Sequence, residues 1–340
     1  MKKYEPHVNG PKGRLAPTND ACEDFHFSTK REDFKHGGGG VGAPPPILKH
    51  QIADLEQLLG AAIASAKIKR LTLQEAHENF NLRPQIHLIL RSPTGSMKST
   101  VLGMISKQLN VPVITETTIP GLVGTVDSDT HQWIPGAAWT ARNSMLLLDE
   151  FKFDKHADSY IPLLALMEDQ RYNRRLGLFS VPTEHTDGDL SLIYQNGEVN
   201  LKTRFSCVVA SMKRFERFSS DFFKAFVNRT IPFEYEFSNE ALRGFAEGKF
   251  QLNIPDYKPQ PEVFIPRRKY FGFIRFVERT IKTYPASQEA KAENFLRSIG
   301  DVCRLYAATG KEDWDFWRKV IWWKLSVYDK VGRYYGKKDS

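Results

Sequence analysis

The stretch Ile86-His87-Leu88-Ile89-Leu90-Arg91-Ser92-Pro93-Thr94-Gly95-Ser96-Met97-Lys98-Ser99-Thr100 constrains this chain more than any other. Ile86 to Leu90 is dominated by large apolar residues, the pattern of a buried strand. Pro93 and Gly95 mark a turn, and Val101 to Leu109 has the periodicity of an amphipathic helix. Strand, short loop and a helix opening on Lys98-Ser99-Thr100 form the context of a Walker A phosphate loop. Backbone N–H groups of the loop, Ser92 to Met97, and of the helix start would cradle nucleotide phosphates. Lys98 would reach the β- and γ-phosphates, and the Ser99 hydroxyl would bind Mg²⁺. Ser92 and Met97 stand where the usual pattern has glycines, and Gly95 is extra. Met97 fits only with a negative φ and a side chain turned away from the phosphates. The loop alone leaves open an ordinary strand–turn–helix carrying a stray lysine.

Ser144 to Phe151 answers that ambiguity. Its four apolar residues, Met145 to Leu148, read as a buried parallel strand with Asp149 and Glu150 at its carboxyl end. Ligands of open α/β sheets bind outside such strand ends. Asp149 would hold Mg²⁺, directly or through water, and Glu150 would orient and polarise an attacking water.

The chain has 340 residues, enough for two or three domains, and 41% hydrophobic residues, which predicts a globular protein. A formal net charge of +8 favours an anionic partner. Three widely spaced cysteines suit a reducing compartment and form no metal-ligand spacing. No apolar run reaches the ~18 residues of a membrane span. The amino terminus lacks signal-peptide character, so a cytoplasmic protein is expected.

Met1 to His50, with Gly37 to Gly40 and Pro44-Pro45-Pro46, reads as a flexible arm open to protein partners. Gln51 to Lys69 reads as a helix, Val111 to Thr115 as a strand, and Ile119 to Ala137 as a hairpin-like insertion. Tyr160 to Arg175 is expected to be helical, ending in Arg171, Arg174 and Arg175. Leu176 to Lys202 is turn-rich, and its Asn196-Gly197 is a hairpin signal. Phe205 to Ala210 reads as a buried strand ending at Ser211, and a helix running into Asn228-Arg229 precedes the strand Ile231 to Phe237. Helices are expected over Asn239 to Phe250, Tyr270 to Tyr284, Ser287 to Ala308 and Trp314 to Tyr328, with Gln251 to Arg268 as a linker. The fold class is thus α/β: a parallel sheet core over 51–237 with β-hairpin insertions, then an α-helical lid over 238–340.

Lysine loop, Asp-Glu strand, polar strand end, Asn-Arg turn and helical lid come in an order that resembles the AAA+ ATPases. Gly121 to Val126, Trp133 to Ala137, Leu147 to Phe151, Leu164 to Gln170 and Lys202 to Ser206 narrow the resemblance to the motor domain of minichromosome maintenance helicases. The resemblance covers Ile86 to Thr309. It implies an ATPase using ATP and Mg²⁺ that forms a ring, commonly a hexamer, or a helical filament on DNA. Lys98, Ser99 and Thr100 then belong to Walker A, and Asp149 and Glu150 to Walker B. Ser211 stands in place of the sensor 1 asparagine. Arg229 matches the arginine finger that completes a neighbour's site, and Arg297 the sensor 2 arginine of the lid. The Leu176 to Lys202 hairpin matches the element that touches DNA in the ring channel, and Arg174, Arg175 and Lys202 are the DNA-contact candidates. Only about eighty residues precede the Walker strand, too few for the family's amino-terminal DNA-binding domain. The chain therefore resembles a stripped-down motor of the kind a virus or mobile element encodes. Two other readings stay open: a nucleotide-switched DNA-binding regulator of transposition or replication initiation, and a protein-remodelling chaperone of the MoxR type.

Overall fold

The computed structural model describes residues 52–75, 78–92, 98–115, 118–150, 157–175, 181–211, 221–235, 243, 244, 247, 249 and 251–330. Helix α1 (Ile52–Ala66) precedes strands β1 (Arg70–Glu75) and β2 (Glu78–Leu82). Strand β3 (Leu88–Arg91) leads to α2 (Lys98–Leu109) and β4 (Val113–Ile114). An insertion follows, made of α3 (Ile119–Val123), β5 (Gly124–Val126), β6 (Trp133–Pro135) and α4 (Ala137–Thr140). Next come β7 (Met145–Leu148), α5 (Ala157–Asp169), β8 (Arg171–Arg175), β9 (Thr183–Asp187), β10 (Leu190–Gln195), β11 (Glu198–Lys202) and β12 (Ser206–Ser211). The chain continues through α6 (Asp221–Arg229), β13 (Ile231–Glu234), β14 (Glu262–Ile265), α7 (Arg267–Thr283), α8 (Gln288–Thr309) and α9 (Trp314–Lys330).

The central sheet has five strands in the order β13-β3-β12-β7-β4, and every pairing is parallel. Its strands are nearly continuous apolar runs because both faces are covered. Successive side chains point to opposite faces. Leu88, Leu90, Met145, Leu147, Val208 and Ala210 join the apolar cluster that includes α1, α2 and α7 to α9. Ile89, Leu146, Leu148, Cys207 and Val209 join a second cluster built with α3 to α6 and the inner face of β10 and β11. Each Leu, Ile, Val or Met among them, fully buried, contributes about 1.5–3 kcal/mol, so the alternation holds two cores to one sheet.

The carboxyl-terminal helices share the first of these clusters with the sheet. Helix α7 buries Tyr270, Phe273, Val277 and Ile281, spaced three and four residues apart along one stripe. Phe273 meets Trp317 edge to face at 5.3 Å, and Phe276 meets Trp314 at 4.9 Å. Helix α8 starts where the Ser287 hydroxyl accepts from the Ala290 N–H, and it stops at Gly310, whose φ of 68° suits a residue without Cβ.

The structure differs from the sequence expectation in several places. The helix predicted to run to Arg175 ends at Asp169, because Gln170 takes a left-handed backbone (φ 52°). Arg171–Arg175 then pairs antiparallel with β11, in a four-stranded sheet of order β8-β11-β10-β9. Within the predicted linker, Glu262–Ile265 forms β14, parallel to β1 in a small sheet with β2. In the 119–137 insertion, a short helix capped by the Thr118 hydroxyl precedes the antiparallel β5–β6 pair. The arm over 1–50 and the helix predicted from Asn239 fall wholly or largely outside the described residues. Among the described residues, no helix is long and apolar enough to cross a membrane.

Candidate functional site

Parallel pairing puts the carboxyl ends of all five central strands on one edge. Strand β12 lies between β3, which precedes Lys98, and β7, which precedes Asp149. Ser211, the last residue of β12, is in register with Arg91, the last of β3, and Arg91 is also in register with Glu234 of β13. Arg91 and Glu234 form an ion pair there. The Asp149 N–H donates to Ile114 O at 2.8 Å, and the Tyr235 N–H to Arg91 O at 3.0 Å, so the strand ends are stitched together.

Lys98 opens α2 and is buried, 7% exposed, with Nζ donating to Ser92 O at 2.8 Å. Burial lowers its pKa, the Asp149 charge opposes that, and Arg91 adds to it. Lysine and aspartate thus feel each other across the strand ends. Asp149 is also buried, and its Oδ1 accepts from the Glu150 N–H at 2.8 Å. Glu150 is exposed with a φ of 50°, a left-handed conformation costing roughly 1–2 kcal/mol for a residue with a Cβ. Such strain at a strand end that carries paired acids is characteristic of functional sites. Ser211 is fully buried, and its Oγ has no hydrogen-bond partner among the described residues. A buried hydroxyl left so costs free energy, and it is suited to a polar ligand at this edge. Ser99 is exposed on the first turn of α2, with Thr100 beside it half-buried. Pro93, Thr94, Gly95, Ser96 and Met97 lie outside the described residues.

Sequence reasoning missed Tyr235 and the Arg91–Glu234 pair. Burial pushes the Tyr235 phenol well above its usual range; Ser92 opposes the rise and Asp149 adds to it. Its place just after the apolar run Ile231 to Phe233 was the available signal.

Arg229 and Arg297 belong to a different cluster. Arg229, at the end of α6, donates from Nη1 to Ala225 O at 2.7 Å and from Nε to Glu168 Oε2 at 2.8 Å. Burial lowers the Arg297 pKa, Arg229 lowers it further, and Glu168 opposes. The two arginines therefore sit together around Glu168. None of the charges that act on Arg297 is among those that act on Lys98.

The basic candidates divide between two faces of the four-stranded sheet. Arg171 is opposite Lys202 and Arg175 opposite Glu198, on the exposed face. Arg174 is opposite Val199, on the face that also carries Tyr172 and Leu201. Lys202 Nζ lies 3.9 Å from Asp189, whose carboxylate is held more closely by the buried Arg204 at 3.2 Å.

Comparison with protein-family models and with curated proteins finds no match for this chain.

Proposed function

We propose that this chain is a Mg-ATP-dependent ATPase of the AAA+ class that assembles head to tail and works as a motor on DNA, a helicase or translocase. The observation that carries this reading is the pairing of Lys98 and Asp149 at the carboxyl edge of the sheet, with the Ser211 hydroxyl, buried without a partner among the described residues, at the end of the strand between β3 and β7. Lys98 would exchange its bond to Ser92 O for β- and γ-phosphate oxygens. That exchange also restores a counter-charge to a buried ammonium.

Asp149 and Ser99 would hold Mg²⁺, an ion that takes one or two protein oxygens and completes its shell with phosphate and water. Bound there, it would neutralise phosphate charge. The donor set fits: a carboxylate and a hydroxyl, both hard oxygen ligands. Glu150 would accept a proton from the attacking water at its carboxylate oxygen. Ser211 Oγ would donate to the γ-phosphate or orient that water. Arg229 and Arg297 would act on the nucleotide of the next subunit, in a heterologous contact that closes as a ring or runs on as a filament. The exposed face carrying Arg171, Arg175 and Lys202, with the net charge of +8, supports a DNA partner.

The test is ATP hydrolysis with and without DNA. A motor hydrolyses ATP, is stimulated by DNA and displaces a strand. Stimulation without displacement would favour the nucleotide-switched regulator, and hydrolysis indifferent to DNA would favour the protein-remodelling chaperone.

A further inference from the structure

The face opposite Arg175 and Lys202 carries a cavity of about 190 Å³ between the insertion and β8. Ile119, Pro120, Val123 and Gly124 line it from the insertion, Tyr172 and Arg174 from β8. It is smaller than the roughly 300–1,000 Å³ of pockets for drug-sized ligands, a size for one ring rather than a whole nucleotide. Its wall is fixed in advance. Gly124 has a φ of 126°, and a Cβ there would lie 2.5 Å from the Trp133 ring. Trp133 in turn stacks on Tyr194 of β10, centroids 4.8 Å apart and planes 13° from parallel. The insertion is thus locked to the four-stranded sheet, and a ligand would not have to order it.

Arg174 is exposed and makes no hydrogen bond or ion pair among the described residues. It stands on an edge strand whose sequence, Arg-Tyr-Asn-Arg-Arg, has three cations and no acid. An apolar and aromatic recess beside a guanidinium that has no partner among the described residues, on a basic edge, matches the two halves of a nucleotide.

We propose that this cavity takes one unstacked base of a single-stranded nucleic acid, with Tyr172 against the base and Arg174 on the adjoining phosphate. Duplex DNA offers no unstacked base, so the site selects single strands. This rests on the nucleic-acid part of the function proposed above and adds strandedness to it. Arg171 and Arg175, on the other face of the same strand, carry the backbone onward.

The test uses the full chain without nucleotide, and fluorescence anisotropy with labelled oligothymidylate and a strand of equal length lacking bases. Stacking of a single base predicts that the parent prefers the base-bearing strand by about tenfold. Tyr172→Leu should lose most of that preference while keeping its affinity for the baseless strand, and Tyr172→Phe should retain it. Arg174→Ala should weaken both strands. Equal binding of the two strands by the parent would overturn the base site and leave backbone contact standing. Failure to bind either would overturn the nucleic-acid partner as well, with ATP hydrolysis still testable separately. Tighter binding of an acidic extended peptide, displacing oligothymidylate, would assign the β8 edge to a peptide and overturn the proposal.

Discussion

Arg229 donates from Nε to Glu168 Oε2 at 2.8 Å, so the guanidinium that ends α6 is engaged within its own chain. Glu168 is 47% exposed, and exposed ion pairs of this kind contribute only about 0.2–1 kcal/mol. An arginine finger contributes roughly 10³–10⁵ in rate, so a phosphate in trans can draw Arg229 from Glu168 at small cost. Arg229→Ala and Lys98→Ala should each be nearly inactive alone. Mixed, they should regain part of the ATPase activity, because some interfaces pair an intact lysine loop with an intact arginine. Strong turnover by Arg229→Ala alone, where the parent is monomeric, would contradict both finger and assembly.

Ser211 separates stability from activity. Its Oγ is buried without a partner among the described residues, and an unsatisfied buried hydroxyl costs about 1–3 kcal/mol. Ser211→Ala should leave the melting temperature unchanged or raise it, while lowering turnover about tenfold or more. A lower melting temperature with full turnover would make Ser211 a structural residue.

His87 gives the fold a pH dependence. Burial, with the Arg304 charge adding to it, lowers its pKa from 6.5 to about 3 against an opposing hydrogen bond at the Met167 backbone. Its Nδ1 accepts from the Cys207 N–H at 3.0 Å, which requires the neutral ring. As pH falls below 6.5 the unfolded chain takes up a proton that the folded chain refuses until about pH 3. Stability should therefore fall across that window by about 1.4 kcal/mol per pH unit from this group. Urea midpoints at pH 6.5 and 5 should show a steeper loss for the parent than for His87→Asn. Parallel losses would mean that His87 does not titrate this way.

The central strands were legible because both their faces are apolar: Leu88 to Leu90, Met145 to Leu148 and Cys207 to Ala210 have no other use for so many large side chains. Asp149 and Ser211 were legible because each stands at such a strand's end, and Lys98 because it opens the helix that follows one. The arginine strand Arg171–Arg175 was not, since an edge strand with polar side chains on both faces has no period-two signal. Strand β14 was hidden among prolines, whereas β1 and β2 do alternate, with Leu71 and Leu73 and with Phe80 and Leu82 on one face, a period-two signal that sequence reasoning missed. The division of Arg174 from Arg175 depends on register with β11, a long-range pairing that local pattern does not carry. Glu168 reads as an ordinary exposed helix residue until tertiary packing brings it to Arg229.

The most direct measurement of the central claim is ATP binding and hydrolysis by Glu150→Gln beside Lys98→Ala. If the strand-end cluster is a catalytic nucleotide site, Glu150→Gln keeps ATP affinity and loses turnover by about 100-fold, in line with removal of a single acid–base group. Lys98→Ala should weaken ATP binding itself, because it removes the cation that meets the phosphates. Hydrolysis by Glu150→Gln at the parent's rate, or unchanged ATP affinity in Lys98→Ala, would contradict the account.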